Sequence, residues 1–175
     1  IGTLAGTLTA VAVERLVSQD ADFIHRAYTR AAKLTDFVKK LLRLTQMRLS
    51  NKLEMKPFSF NDALWNVVNA VKTKAQDKSI TLYCNIAPSV GKIVGNQLSI
   101  EEMVTNLLLN SIKYTPENGT VGIDAEEHDG CVIVRITDTG IGIPIEEQSR
   151  IFDEFYRADN ARRVEQDGTG LGLSI

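Results

Sequence analysis

The sequence predicts an α+β protein: a two-layer α/β sandwich with a mixed, mostly antiparallel sheet, preceded by an α-helical hairpin. Three observations predict it. Residues 8–49 contain neither glycine nor proline. Within them Ile24, Ala27, Ala31, Leu34, Val38 and Leu41 recur in steps of three and four, the spacing of a helical stripe. From Lys56 onward the texture changes, and strand-like runs alternate with amphipathic helical ones.

The elements follow in order. A short helix is expected up to about Val17. "SQDAD" (Ser18–Asp22) interrupts it with turn and cap residues, and a long helix should run from about Ala21 to Leu49. Its opposite face carries Arg26, Arg30, Lys33, Lys40 and Arg43. Two helices with narrow apolar stripes cannot bury them alone. A second copy, giving a dimeric four-helix bundle, is the natural completion; packing onto the rest of the chain is the alternative. Pro57 breaks the helical zone, which places the two domains at 1–50 and 56–175. "KPFSF" reads as a strand, and Asn61 as the cap of an amphipathic helix reaching about Gln76. "SITLYCNIA" is a strand, and Asn96 caps a helix over 97–114. "GTVGIDAEEHDGCVIVRITD" is two strands joined by a turn at "HDG".

Composition removes several function classes. The 175 residues are 43% hydrophobic, enough for one sizeable core. Twenty basic and 22 acidic residues leave a net charge of −2, which suggests neither a nucleic-acid nor a membrane-surface binder. No run approaches the roughly 18 apolar residues of a membrane span. "TLAGTLTAVAV" is apolar but short, and no basic segment precedes it as in a signal peptide. Cys84 and Cys131 lie in apolar strand-like runs and read as two buried thiols in a reducing compartment.

Three segments carry chemistry. In "NLLLNSIKYTP", Asn106, Asn110, Lys113 and Tyr114 fall at i, i+4, i+7 and i+8, one helix face. Carboxamide oxygens with water suit Mg²⁺, and a lysine suits a phosphate. "DTGIGIP" places Asp138 at a strand end, able to accept a hydrogen bond from an exocyclic amine, while Gly140 and Gly142 let the backbone approach a flat ring. "DGTGLGLSI" holds Gly168, Gly170 and Gly172, a turn with open backbone N–H groups suited to phosphate. Each glycine segment alone is a weak signal, since "DTGIG" is also an ordinary turn.

In this order and spacing the segments are far more specific. Lys56–Ile175 resembles the ATP-binding catalytic domain of bacterial sensor histidine kinases, within the wider superfamily of gyrase-type and heat-shock-chaperone ATPases. "NLLLNSIKYTP" looks like its N box, "DTGIGIP" its first glycine box, "IFDEFYR" (Ile151–Arg157) its phenylalanine box and "GTGLGL" its second glycine box. The resemblance implies ATP and Mg²⁺ as cofactors. It implies Asn110 as the Mg²⁺ ligand with Asn106 assisting, Lys113 and Tyr114 near the phosphates or ribose, and Asp138 on the adenine amine. Gly140, Gly142 and Ile143 would shape the adenine pocket. Gly168, Thr169, Gly170, Leu171 and Gly172 would flank the triphosphate, and Arg157 would reach toward the γ-phosphate. Asn106, Asn110, Lys113 and Arg157 are thus the implied catalytic set. "ADNARRVEQD" (Ala158–Asp167) would be a mobile lid. In the gyrase-like branch the position of Asn106 holds a glutamate that activates water. Asn106 cannot act as a base, which argues for phosphoryl transfer over fast hydrolysis.

The same resemblance makes the helical hairpin a dimerisation and phosphotransfer domain. Its acceptor motif has the form H-E/D-L-R-x-P-L-T-x-I. With "LTAV" (Leu8–Val11) aligned to the end of that motif, Gly2 falls on the phosphoacceptor histidine and Thr3 on the acidic base. Ala5, Gly6 and Thr7 replace the arginine, polar residue and proline. Glycine has no nucleophile, so the site is expected to be degenerate. His25 lies near the turn and His128 beside a strand turn, and neither is a substitute. The family continues after "GLGLS" with a helix and two strands, so the catalytic domain is expected to be C-terminally truncated here. The expected function is a cytoplasmic Mg·ATP-binding transmitter module that forms a homodimer and meets a response regulator or partner kinase, with no nucleic acid and no membrane contact. A pseudokinase, or a non-catalytic module that pairs with another kinase, is the alternative.

Overall fold

The computed structural model describes residues 20–32, 34–35, 37–39, 41–42, 45, 54–165 and 168–173. The chain divides into two compact units, Ile1–Arg48 and Leu49–Ile175. In the first, α1 comprises helical residues 20–32, and the described residues that follow to 45 are helical too. Thr29, Thr35 and Thr45 each donate to the carbonyl four residues back, at 2.9 Å. Arg26 pairs with Asp22 across one turn at 3.1 Å. The expected apolar stripe is present and exposed: Ile24, Leu34, Val38 and Leu41 all face solvent. The expected first helix, with Gly2 and Thr3, lies outside the described residues, as do Lys33, Lys40 and Arg43.

The second unit is a layer of two helices on a sheet. Its elements are β1 (Lys56–Ser59), α2 (Phe60–Asp77), β2 (Thr81–Ile86), β3 (Lys92–Gly95), α3 (Gln97–Tyr114), β4 (Thr120–His128) and β5 (Cys131–Asp138). A 3₁₀ turn (Ile145–Arg150) and α4 (Asp159–Val164) follow. The main sheet runs β2-β4-β5, with β2 parallel and β5 antiparallel to β4. β1 and β3 form a separate antiparallel pair. The class is therefore the expected mixed α+β.

The caps refine the expectation. α3 starts as read: the Asn96 side chain accepts from Ser99 N–H at 2.9 Å. α2 does not. Its cap is Ser59, whose hydroxyl accepts from Asp62 N–H at 3.3 Å, while Asn61 lies inside the helix and its amide reaches Ala87 O. The strand thus passes into the helix without a loop. β3 was not foreseen; "KIVG" is short and gains its definition from pairing with β1. The hairpin closes on two residues, Asp129 and Gly130, both at positive φ, the pair a type I′ turn requires.

The core lies between the helices and the inner face of the sheet. Ala63, Leu64, Val67, Val68 and Val71 of α2 and Val104, Leu108 and Ile112 of α3 are buried there. They meet Val121, Ile123 and Ala125 of the central strand. Cys84 packs half-buried against this core, and burial raises its thiol pKa. Cys131 corrects the sequence reading: it is an exposed free thiol, because it opens β5 beside the turn, opposite His128. Among the described residues, no helix is long and apolar enough to cross a membrane.

The outer face of the sheet carries one tie. Tyr83 of β2, Gly122 of β4 and Thr137 of β5 are in register. The Tyr83 ring crosses the bare Gly122 backbone, and its hydroxyl meets Thr137 Oγ1 at 2.7 Å. A Cβ on Gly122 would lie 2.0 Å from the ring. Gly122→Ala should therefore displace the ring and break that hydrogen bond. Urea unfolding should register a loss of about 1 kcal/mol, and Tyr83→Ala in the same chain should abolish most of the additional effect of the alanine.

Candidate nucleotide site

The C-terminal half of α3 meets both glycine segments. Ser111 sits on the buried side of α3, and its hydroxyl donates to Asp138 Oδ2 at 2.9 Å. The other oxygen, Oδ1, accepts from Gly140 N–H at 2.9 Å. The carboxylate is thus held in one orientation although Asp138 itself is exposed, and its remaining lone pairs are open to a donor. Ile141 N–H donates to Tyr114 O at 3.2 Å. A Cβ on Gly140 would lie 2.7 Å from Asp138 Oδ1 and 2.9 Å from Tyr114 O, so only glycine fits between the helix end and the carboxylate.

The second glycine segment lies against the same helix. A Cβ on Gly172 would lie 3.5 Å from the Asn110 amide. Lys113 Nζ stands 3.8 Å from Glu165 and 5.5 Å from the Tyr114 ring centroid. Gly170 has φ +70°, accepts from Phe155 N–H at 2.9 Å, and has no room for a Cβ against the Phe155 backbone. Leu171 is fully buried and anchors the loop, with Thr169 half-buried beside it. Four residues expected on one face, Asn106, Asn110, Lys113 and Tyr114, are therefore brought to the glycine segments or lie on the same helix. Asn106 carries a buried Nδ2 with no hydrogen-bond partner among the described residues. An orphaned buried amide is costly and fits a position completed by a ligand or water.

Arg157 lies against the carbonyls of the segment that follows it. Its Nη1 donates to Gly168 O at 3.1 Å, and its Nη2 to Ala161 O at 3.4 Å and to Glu165 O. These contacts gather Ala161, Glu165 and Gly168 around one guanidinium. Gly142 and Ile143 are open positions: nothing would meet a Cβ on Gly142, and Ile143 is exposed.

Several positioning residues escaped the sequence reading. Lys78, just past α2, donates through Nζ to Ile112 O at 3.0 Å and Lys113 O at 2.6 Å. A cation on the last carbonyls of α3 complements the helix dipole and fixes the end that bears Lys113 and Tyr114. Asn160 Nδ2 donates to Gly142 O at 2.9 Å, joining α4 to the first glycine segment. Glu147 Oε2 accepts from Tyr156 O–H at 2.6 Å and from Asp159 N–H at 3.1 Å, and the Arg150 guanidinium stands 4.2 Å from the centroid of the Tyr156 ring. None of these is visible as a motif, since each joins residues of ordinary surface type.

The glycine segments, the polar face of α3 and the anchored carboxylate at the end of β5 now stand together. Residues 95–175 match the family described as histidine kinase-, DNA gyrase B- and HSP90-like ATPases. These residues belong to that ATPase family. The domain is similar to BarA of Escherichia coli K12, a signal transduction histidine-protein kinase, at 39% identity over 129 residues, covering 70% of this chain and 14% of BarA. It is similar to the sensor-like histidine kinase SenX3 of Mycolicibacterium smegmatis at 27% identity, covering 99% of this chain. The chain spans 46% of that relative's length. Among solved structures, ShkA in complex with AMPPNP matches with TM-score 0.68 and 26% identity, over 81% of this chain and 29% of ShkA.

In this ATPase domain the donor set bears on the metal. Among the described residues there is no cluster of three His, Cys, Asp or Glu side chains that could hold an ion. Asn106 and Asn110 offer neutral oxygens only, which suit a Mg²⁺ that arrives with phosphate oxygens rather than a metal bound alone.

The Tyr156–Glu147 contact is directly measurable. The hydrogen bond to the Glu147 carboxylate, ahead of desolvation, raises the phenol above its ordinary pKa. Its contribution to stability is present below the ordinary phenol value of about 10 and is lost as pH rises through the folded value. Glu147→Gln should move one of the four tyrosines back toward its ordinary titration in an ultraviolet absorbance titration.

Proposed function

We propose that this chain is the Mg·ATP-binding transmitter part of a two-component sensor histidine kinase-like protein. The observation that carries the reading is Asp138, a carboxylate anchored by Ser111 and Gly140 within a domain of this ATPase family. In this reading Asp138 accepts the adenine amine while Gly140, Gly142 and Ile143 line the ring. Asn110, with Asn106, holds Mg²⁺, and Lys113 and Tyr114 approach the phosphates or ribose. Gly168, Thr169, Gly170, Leu171 and Gly172 flank the triphosphate, and Arg157 reaches it on leaving the lid carbonyls. Bound ATP supplies the transferable γ-phosphoryl group. This chain's residues bind and orient it, and the lid segment excludes water. Asn106 has no basic group to activate water, which supports transfer to a protein histidine over hydrolysis.

The acceptor is proposed to lie elsewhere than position 2. Gly2, aligned with the phosphoacceptor, has no nucleophile, so the chain acts as a pseudokinase or regulator, or phosphorylates a histidine on a partner. A homodimer through the helical hairpin is supported by the exposed apolar residues Ile24, Leu34, Val38 and Leu41. These residues also favour the second reading, a non-catalytic module that pairs with another kinase. A response regulator or partner kinase on the cytoplasmic side completes the proposal.

Calorimetry with ATP and Mg²⁺ tests the nucleotide reading. Asp138→Asn should weaken binding roughly ten- to 100-fold, the loss of a hydrogen bond to a charged group worth about 1.5–3 kcal/mol. Wild-type chain that takes up no nucleotide would leave only the non-catalytic module. Incubation with γ-labelled ATP should yield no acid-labile phosphohistidine on this chain, and clear self-labelling would remove the degenerate-acceptor reading.

A further inference from the structure

An open strand edge and a cavity lie side by side where α2 packs beside β2 of the main sheet. β2 has β4 on one side and, among the described residues, no strand on the other. Their pairing is parallel, and in such a ladder alternate residues direct both N–H and C=O to the same side. Thr81 N–H donates to Gly119 O at 3.0 Å and Ala87 N–H to Ala125 O at 2.9 Å. The odd-numbered residues therefore face β4. Leu82, Cys84 and Ile86 direct their backbone donors and acceptors to the open edge. "TLYCNI" carries no charge, no proline and no glycine, so it lacks the devices that usually blunt an edge strand. The Tyr83–Thr137 tie holds it in fixed register.

Beside this edge is a cavity of about 390 Å³ between α2 and β2. Trp65, Asn69, Lys72 and Gln76 of α2 form its wall, and Leu82 and Cys84 part of its floor. Trp65 is 42% exposed, a large apolar surface held out toward solvent. Lys72 is the one charged residue of the lining. A helix wall beside an open strand edge is the arrangement that captures extended peptides by strand addition.

We propose that this edge binds an extended peptide as an added strand. The peptide main chain pairs with Leu82, Cys84 and Ile86. Apolar side chains at alternate positions enter the cavity against Trp65, and an acidic residue meets Lys72. Charge complementarity selects the acidic partner, and the row of open amides selects an extended one. None of these residues belongs to the nucleotide constellation, so the site and its test stand apart from ATP binding.

The two free cysteines and the sole tryptophan supply the readout. The probes are blocked hexapeptides that alternate valine, isoleucine or phenylalanine with threonine and carry one central glutamate. At a peptide concentration of about ten times its Kd, alkylation of Cys84 in the full chain should slow roughly tenfold by mass action. Exposed Cys131 should react unchanged, and Trp65 fluorescence should shift with the same Kd. N-methylation of alternate peptide amides should abolish the protection, and Lys72→Glu should weaken it. No protection of Cys84 by any of the peptides overturns the proposal. Equal protection by the N-methylated peptides also overturns it, since the cavity would then take side chains or small molecules without strand pairing.

Discussion

The hydrogen bond from Ser111 to Asp138 joins the two layers of the domain at the point where its chemistry is expected. Ser111 belongs to the helix layer and Asp138 is the last residue of β5. Because the carboxylate is also committed to Gly140 N–H, one side chain sets the helix end, the strand end and the first glycine segment relative to each other. Lys78 secures the same helix end from below, on the carbonyls of Ile112 and Lys113. The polar face of α3 is therefore positioned by contacts at its final turn. The core residues Val104 and Leu108 hold the rest of the helix on the sheet. Hydrophobic burial gives α3 its place, and a few charged hydrogen bonds give it its rotation and end point.

Legibility in the sequence followed the range of the underlying interaction. Helices α2 and α3 and the β4–β5 hairpin were readable because local periodicity and the Asp129–Gly130 turn specify them within a few residues. The Asn96 cap was readable for the same reason. The sequence alone favours Asn61 over Ser59 as the cap, since both are good capping residues two positions apart and only the path of β1 decides between them. β3 was missed because four residues of "KIVG" acquire strand character from β1, some 35 positions earlier. The apolar neighbours of Cys131 point to burial; its place beside a turn, at the start of the strand, overrides them.

The candidate site shows the same division. Its motif residues stand out because glycines and carboxamides are unusual in those patterns. Ser111, Lys78, Glu147 and Asn160 do not stand out, and each acts by holding another group in place. Arg157 is the instructive middle case. Its presence in "IFDEFYR" could be read, yet its direction depends on carbonyls at Ala161, Glu165 and Gly168 that only the fold brings together.

The parallel pairing of β2 with β4 has a consequence for how the domain forms. Parallel neighbours cannot be joined by a tight turn, so the chain between Ile86 and Thr120 must leave the sheet and return. That excursion contains β3 and the whole of α3. The helix bearing Asn106, Asn110 and Lys113 is thus the crossover itself. Loop-closure entropy makes such long-range strand pairing slow. Compaction of α3 shortens the excursion and lowers that cost, so the folding barrier and the polar face of α3 draw on the same stretch of chain.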